Sequence, residues 1–161
     1  MAKMLEADPK TVIDNVASTL EKDAEIKAPE WASFAKTGMH KQRQPVEENW
    51  WHIRAAAILR SVAKLGPIGT EKLRTKYGGK KNRGHKTEHH YKGSGSVARK
   101  ILQQLEKAGY VRQTQKGTHK GRIITKKAAD MLNKAGSEVT VVKAKADEAK
   151  PAKAPEKEAA K

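Results

Sequence analysis

No cysteine occurs among the 161 residues. Disulfides and every Cys-bearing metal site are thereby excluded, and a reducing compartment is compatible. Long apolar runs are missing as well: nothing approaches the roughly 18 consecutive residues a membrane-spanning helix needs. The opening MAKMLEADPK has no apolar stretch and does not read as a secretory signal. Aromatic residues make up only 4% of the chain, too few for a row of exposed stacking faces of the kind single-strand readers use. Acids are scarce too, with seven between residues 29 and 136. Glu47 and Glu48 among them suit the start of a helix, where the dipole favours negative charge. No acid–base pair or activated nucleophile can be named, so the chain is expected to be no enzyme, with no cofactor and no small-molecule substrate.

What is plentiful is positive charge. The formal net charge is +16, and charge of one sign opposes compaction. Its distribution is uneven. Residues 1–28 carry four Lys against six acids, a net of −2, and residues 137–161 carry six Lys against five acids, a net of +1. The middle, 29–136, holds 24 Lys or Arg against seven acids, a net of +17. The basic character belongs to the part expected to fold, residues 1–136, read as a single domain. Residues 137–161, rich in Ala, Lys, Glu and Pro, have too little apolar surface to offset ordering entropy and are expected to be a disordered tail.

Helix signals dominate. Asp8 is a good N-cap, Pro9 suits the first helical position, and Val12, Ile13, Val16 and Leu20 make one stripe. PEWASFAKTG is a shorter candidate that places Trp31 and Phe34 three apart on one face. The strongest helix is VEENWWHIRAAAILRSVAKL, with Trp51, Ala55, Ile58, Leu59 and Val62 as its buried stripe and Gly66-Pro67 as its stop. Trp50 and Trp51 cannot share a direction, so Trp51 is assigned to the core and Trp50 to a partly exposed site. Thr70 can cap TEKLRTKY. Ser94 or Ser96 can cap SVARKILQQLEKAG, with Val97, Ile101, Leu102, Leu105 and Ala108 inward. YVRQTQ and GRIIT read as strands of a hairpin, and Thr125 can cap KKAADMLNKA, which stops before Gly136. The fold class predicted is mainly α: a winged-helix-type bundle around a central amphipathic helix, with a small two-stranded hairpin.

Residues 78–100, GGKKNRGHKTEHHYKGSGSVARK, hold seven Lys or Arg around the single acid Glu88. The glycine spacing after Gly79 imitates a phosphate-binding loop, but His85 stands where that motif needs Lys and no buried strand precedes it. His85, His89 and His90 cluster without Cys, and nothing holds four ligands in a tetrahedron, so no metal is expected. The stretch reads instead as an extended loop whose glycines let the backbone approach an anion. Lys80, Lys81, Arg83, Lys86 and Lys92 lie on it, and it runs into a helix N-terminus that also favours phosphate. Arg99 and Lys100 are placed in that helix's first turn, where its own dipole disfavours cations and an external polyanion would reverse the penalty. Arg54 and Arg60 on the central helix are six apart, roughly 120° around the axis, so both can flank one exposed face.

Basic loops on several faces, with few free aromatics, favour contact with the backbone and shape of a folded RNA. The rival reading is a winged-helix DNA-binding regulator, with Arg99, Lys100 and Gln103 reading a major groove. A third is a protein-only scaffold. NWWHIRAAAILR, the YGG of 77–79, GSGSVARKILQQLEKAGYV and IITKKA together resemble the small-subunit ribosomal protein family S19e of archaea and eukaryotes, in the same order from about Val12 to Ala135. The resemblance implies a cytoplasmic, ribosome-associated protein on rRNA of the small-subunit head, beside neighbouring head proteins, and needed for small-subunit rRNA maturation. It also implies RNA-binding or incorporation roles for Trp50, Arg54, Arg60 and Arg99.

Overall fold

The computed structural model describes residues 6–148. Its first long helix, α1, is Pro9–Leu20. The Asp8 carboxylate accepts the Thr11 N–H at 3.1 Å, and Pro9 occupies a position whose N–H would have no helical partner. Val12, Val16, Ala17 and Leu20 are buried against α2, Trp50–Leu65. On α2, Trp51, Ala55, Ile58, Leu59 and Val62 are at most 1% exposed, as their spacing predicts. Trp50 is half-buried beside them. The Trp51 indole N–H donates to Gln104 Oε1 at 2.9 Å, and the Gln104 amide donates onward to the Lys27 carbonyl at 2.6 Å. A buried indole must find such an acceptor, and this one ties α2 to two distant segments.

After α2 come α3, Thr70–Lys76, and α4, Gly95–Lys107, then β3, Val111–Lys116, and β4, His119–Ile124. These two strands pair antiparallel from Val111↔Ile124 to Lys116↔His119. Ile68, between α2 and α3, exchanges backbone hydrogen bonds of 3.2 and 3.0 Å with Arg122 of β4. Gly121 permits this approach, because a Cβ there would stand 2.7 Å from the Ile68 nitrogen. The resulting order of helix, bridge, two helices and hairpin wing is that of a winged helix, and the fold is mainly α as expected. Among the described residues, no helix is long and apolar enough to cross a membrane.

The structure departs from the sequence reading at several points. Among them is the start of α2, which begins at Trp50 with Asn49 as its cap and leaves Glu47 and Glu48 outside the helix. Residues 79–91 are no loop: β1, Gly79–Arg83, and β2, Lys86–Tyr91, form a second antiparallel hairpin. Gly84, at φ 75, makes the turn, and its N–H donates to Asn82 Oδ1 at 2.8 Å. Nearly every side chain of this hairpin is exposed, so no apolar alternation marked the strands. Thr70 is the first residue of α3 and not its cap, a place held by Gly69. PEWASF forms only a 3-10 turn, Glu30–Ser33. The helical spacing that would align two rings ends there, so Trp31 turns edge-on to Trp51 at 5.9 Å while Phe34 is 83% exposed. Finally α5, Lys126–Glu148, runs through Gly136. Ala128, Leu132, Ala135 and Val139 continue one stripe, all buried, with α5 packed on α1. Thr125 donates to the Gly109 and Tyr110 carbonyls at 2.8 and 3.0 Å, which anchors the start of α5. Residues 149–161, the rest of the segment expected to be disordered, lie outside the described residues.

Candidate nucleic-acid interface

One partly buried edge of α2 is a row of cations. The Arg54 guanidinium lies over the Tyr77 ring, 4.5 Å from its centroid. Burial, more than any neighbouring charge, pushes Arg54 below its usual pKa, and burial likewise pushes the Tyr77 hydroxyl up. Tyr77 is held in place by Ser61, whose Oγ lies 3.1 Å from the phenol oxygen and donates to the Ala57 carbonyl at 2.8 Å. Lys76 donates to the same Oγ at 2.7 Å. Burial, then repulsion from Lys64 and Arg60, lowers the Lys76 pKa. Arg60 is half-buried, and its Nε is buried with no hydrogen-bond partner. A buried guanidinium N–H without an acceptor costs desolvation that an anionic oxygen would offset.

Three clefts meet around the segment between Ala35 and Arg43. The first, of about 460 Å³, is lined by Lys36, Arg74, Lys81 and Lys92 beside Gly93, Ser94 and Gly95. It opens at the N-terminus of α4, where Ser94 Oγ accepts the Val97 N–H at 3.4 Å. The Ser94 N–H donates to the Thr37 carbonyl at 2.8 Å, which fixes the segment against α4. A second, of about 440 Å³, places Arg99 and Lys100 with Trp31 and Ser96. With Ser94 as the cap, both cations fall in the second turn and not the first, so the dipole penalty expected for them is weaker. The third cleft, of about 390 Å³, brings Trp50 and Arg54 together with Lys41 and Arg43.

The β1–β2 hairpin carries the remaining cations away from these clefts. Lys80, Arg83 and Lys86 stand exposed on it. Arg83 is committed to its own strand pair, donating to the Thr87 carbonyl at 2.9 and 2.7 Å. Lys80 reaches Glu88 at 3.9 Å, a surface contact worth little. Lys92 has an acid partner. Glu71 binds it at 3.0 Å and Arg74 at 2.6 Å, and these hydrogen bonds hold the Glu71 carboxyl below its usual pKa, Arg74 contributing first. Arg122 pairs with Glu106 at 2.9 Å. By contrast, Arg54, Arg60, Lys81, Lys86, Arg99 and Lys100 make no salt bridge among the described residues.

The sequence reading missed Lys36, Lys41, Arg43 and Arg74. Lys41 and Arg43 were visible in MHKQRQP as charge, but no periodicity linked them to the central helix. Arg74 faces the α4 cleft only because α3 packs against α4. His85, His89 and His90 form no group capable of holding a metal among the described residues. His89 lies edge-on to Tyr91 at 5.2 Å.

The sequence matches the family description "Ribosomal protein S19e" over residues 3–142. "Small ribosomal subunit protein eS19" of Aeropyrum pernix is 47% identical over 141 residues, covering 86% of this chain and 90% of the relative. The protein of that name from Haloarcula marismortui is 38% identical over 137 residues, 83% of this chain and 88% of the relative. A eukaryotic one, "Small ribosomal subunit protein eS19G" of Ascaris suum, is 35% identical over 134 residues, 83% and 89%. The matched span takes in the winged helix, the cation row of α2 and the second hairpin alike: the chain belongs to the ribosomal protein S19e family, whose members are structural proteins and not enzymes.

Proposed function

We propose that this chain is a structural constituent of the small ribosomal subunit, seated on rRNA of the subunit head and needed for maturation of that RNA. Its relatives carry the small subunit in their names. Ribosome association places it in the cytoplasm, with rRNA and neighbouring head proteins as partners. The observation that carries the RNA reading is the set of cations without acid partners on α2, α4 and β1–β2, with Arg54 and Arg60 half-buried. Desolvating a charge without a compensating acid is costly, and a polyanion supplies the missing half. Packed helices hold the α2 row rigid, so little conformational entropy is lost there on binding. The hairpin, already paired, brings its lysines as a preformed arm.

Binding of the full chain to small-subunit rRNA, measured across a salt series, tests this. The log affinity is expected to fall with log salt by about 0.7–0.9 for each phosphate neutralised, giving a slope worth several contacts. A slope worth one or two contacts overturns the reading. In a lysate, the protein is expected to sediment with small subunits, and co-migration with chromosomal DNA would support a DNA regulator in its place.

A further inference from the structure

Phe34 is the chain's only phenylalanine and is 83% exposed, whereas Trp51 and Tyr110 are in the core and Trp31 leans on Trp51. It forms one wall of an open cleft of about 690 Å³, within the roughly 300–1,000 Å³ typical of ligand sites. The other walls are Lys36, Gln42, Arg43, Gln44, Pro45 and Val46, and no acid lines the cleft. Glu47 lines the adjoining cleft with Trp50. Val46 is itself 96% exposed, and Met39, 62% exposed, stands nearby in the same segment. Phe34 and Val46 line the same cleft, and exposed apolar surface rimmed by polar side chains is a feature of ligand-binding grooves.

We propose that this cleft binds one unpaired nucleotide, with its base stacked on the Phe34 ring. The proposal rests on the RNA reading above and adds to it a contact that is not made to the duplex backbone. Each wall matches one part of a nucleotide. The flat ring offers the face on which any base stacks. The Gln42 and Gln44 amides each present both donors and an acceptor, as base edges require. Lys36 and Arg43 supply charge for the flanking phosphates. Lys36 also lines the basic cleft at the start of α4, so a strand leaving the pocket has a cationic path towards Ser94. An acidic peptide with an apolar side chain is the other occupant such charge could attract. A single open ring beside amides suits it less than an enclosed apolar groove would.

A single phenylalanine allows a direct test. Replacing it with para-fluorophenylalanine in the full chain puts one fluorine reporter in the cleft, with no other phenylalanine to confuse it. Titration with a short oligoadenylate is expected to move that signal to saturation, while duplex RNA of the same length binds without moving it. In parallel, Phe34→Ala is expected to weaken binding of small-subunit rRNA by roughly five- to 150-fold, the range found on removing one stacking aromatic. The salt slope should stay unchanged, since the ring carries no charge, and Phe34→Trp should retain affinity. Because the side chain is exposed, the melting temperature of the Ala variant is expected to match that of the parent.

Steep salt-dependent rRNA binding with a stationary fluorine signal and an unaffected Phe34→Ala variant overturns the pocket alone. A signal moved by oligoglutamate carrying a leucine, and not by oligoadenylate, assigns the cleft to an acidic peptide and overturns it too. Absence of any rRNA binding by the parent chain removes both the pocket and the RNA reading beneath it.

Discussion

Arg54→Met separates the two roles an arginine on the central helix can play. In the folded protein the guanidinium sits 4.5 Å from the Tyr77 ring centroid and is largely withdrawn from water. No hydrogen bond or ion pair to it is found among the described residues. A partly desolvated cation–π contact contributes about 0.5–2 kcal/mol, and the burial of an unpaired charge opposes it with a cost of similar size. Methionine keeps much of the volume and relieves that cost, so the net change in stability is expected within about 1 kcal/mol. For a chain of this size that is a shift of about 2–4 °C in melting temperature. The effect on RNA should be larger. A charge-assisted hydrogen bond contributes about 1.5–3 kcal/mol, or roughly 10- to 150-fold in affinity, and the salt slope should drop by about 0.7–0.9. Thermal unfolding by circular dichroism and fluorescence anisotropy against a small-subunit rRNA fragment read the two quantities separately. Arg54→Lys, which keeps the charge and loses the planar stack, should preserve the slope. A fall of about 10 °C or more with an unchanged slope would refute the reasoning and make Arg54 a structural pin for Tyr77.

Arg60→Glu is expected to fold, because Arg60 Nε has no partner to lose and Lys76 already repels the arginine. It should fail to enter small subunits in a sucrose gradient, and an unfolded variant would put Arg60 in the core. Replacing Lys80, Lys81 and Arg83 together with Ala should weaken rRNA binding and leave the melt nearly unchanged, since among the described residues the side-chain interactions lost are those to Glu88, Tyr91 and Thr87 at the surface. Undiminished binding would remove the β1–β2 hairpin from the interface. Stability should also fall at high pH through Tyr110, which is 4% exposed and donates to the Asp23 carboxylate. Burial, then that bond, pushes its pKa up to about 12. The folded state thus keeps a proton that the unfolded chain releases near pH 10. The stabilisation is complete below about pH 10 and is lost as pH rises towards 12, by about 2 kcal/mol. Tyr110→Phe should flatten unfolding free energy across that window, and an unaltered slope would show the pair to be unimportant.

Much of this protein could be read without coordinates, and the reason is locality. The Asp8 cap, the choice of Ser94 or Ser96 as a cap, the stripe from Trp51 to Val62 and the strands of the wing are patterns completed within one or two turns of chain. Their physics is settled by neighbours in sequence, and the net charge of residues 29–136 is simple addition. Tertiary structure decided everything that depends on which segments cross. It paired β1 with β2 although their side chains carry no apolar alternation, and gave Lys92 to Glu71, 21 residues away. Packing between α1 and α5 kept α5 helical through Gly136. The crossing of the 35–43 segment over α4 gathered Lys36, Arg74 and Lys81 into one cleft and left Phe34 uncovered. A cation's position in the chain shows that it exists; only its distance from an acid, a ring or another cation decides whether its field is spent inside the molecule or remains for a partner.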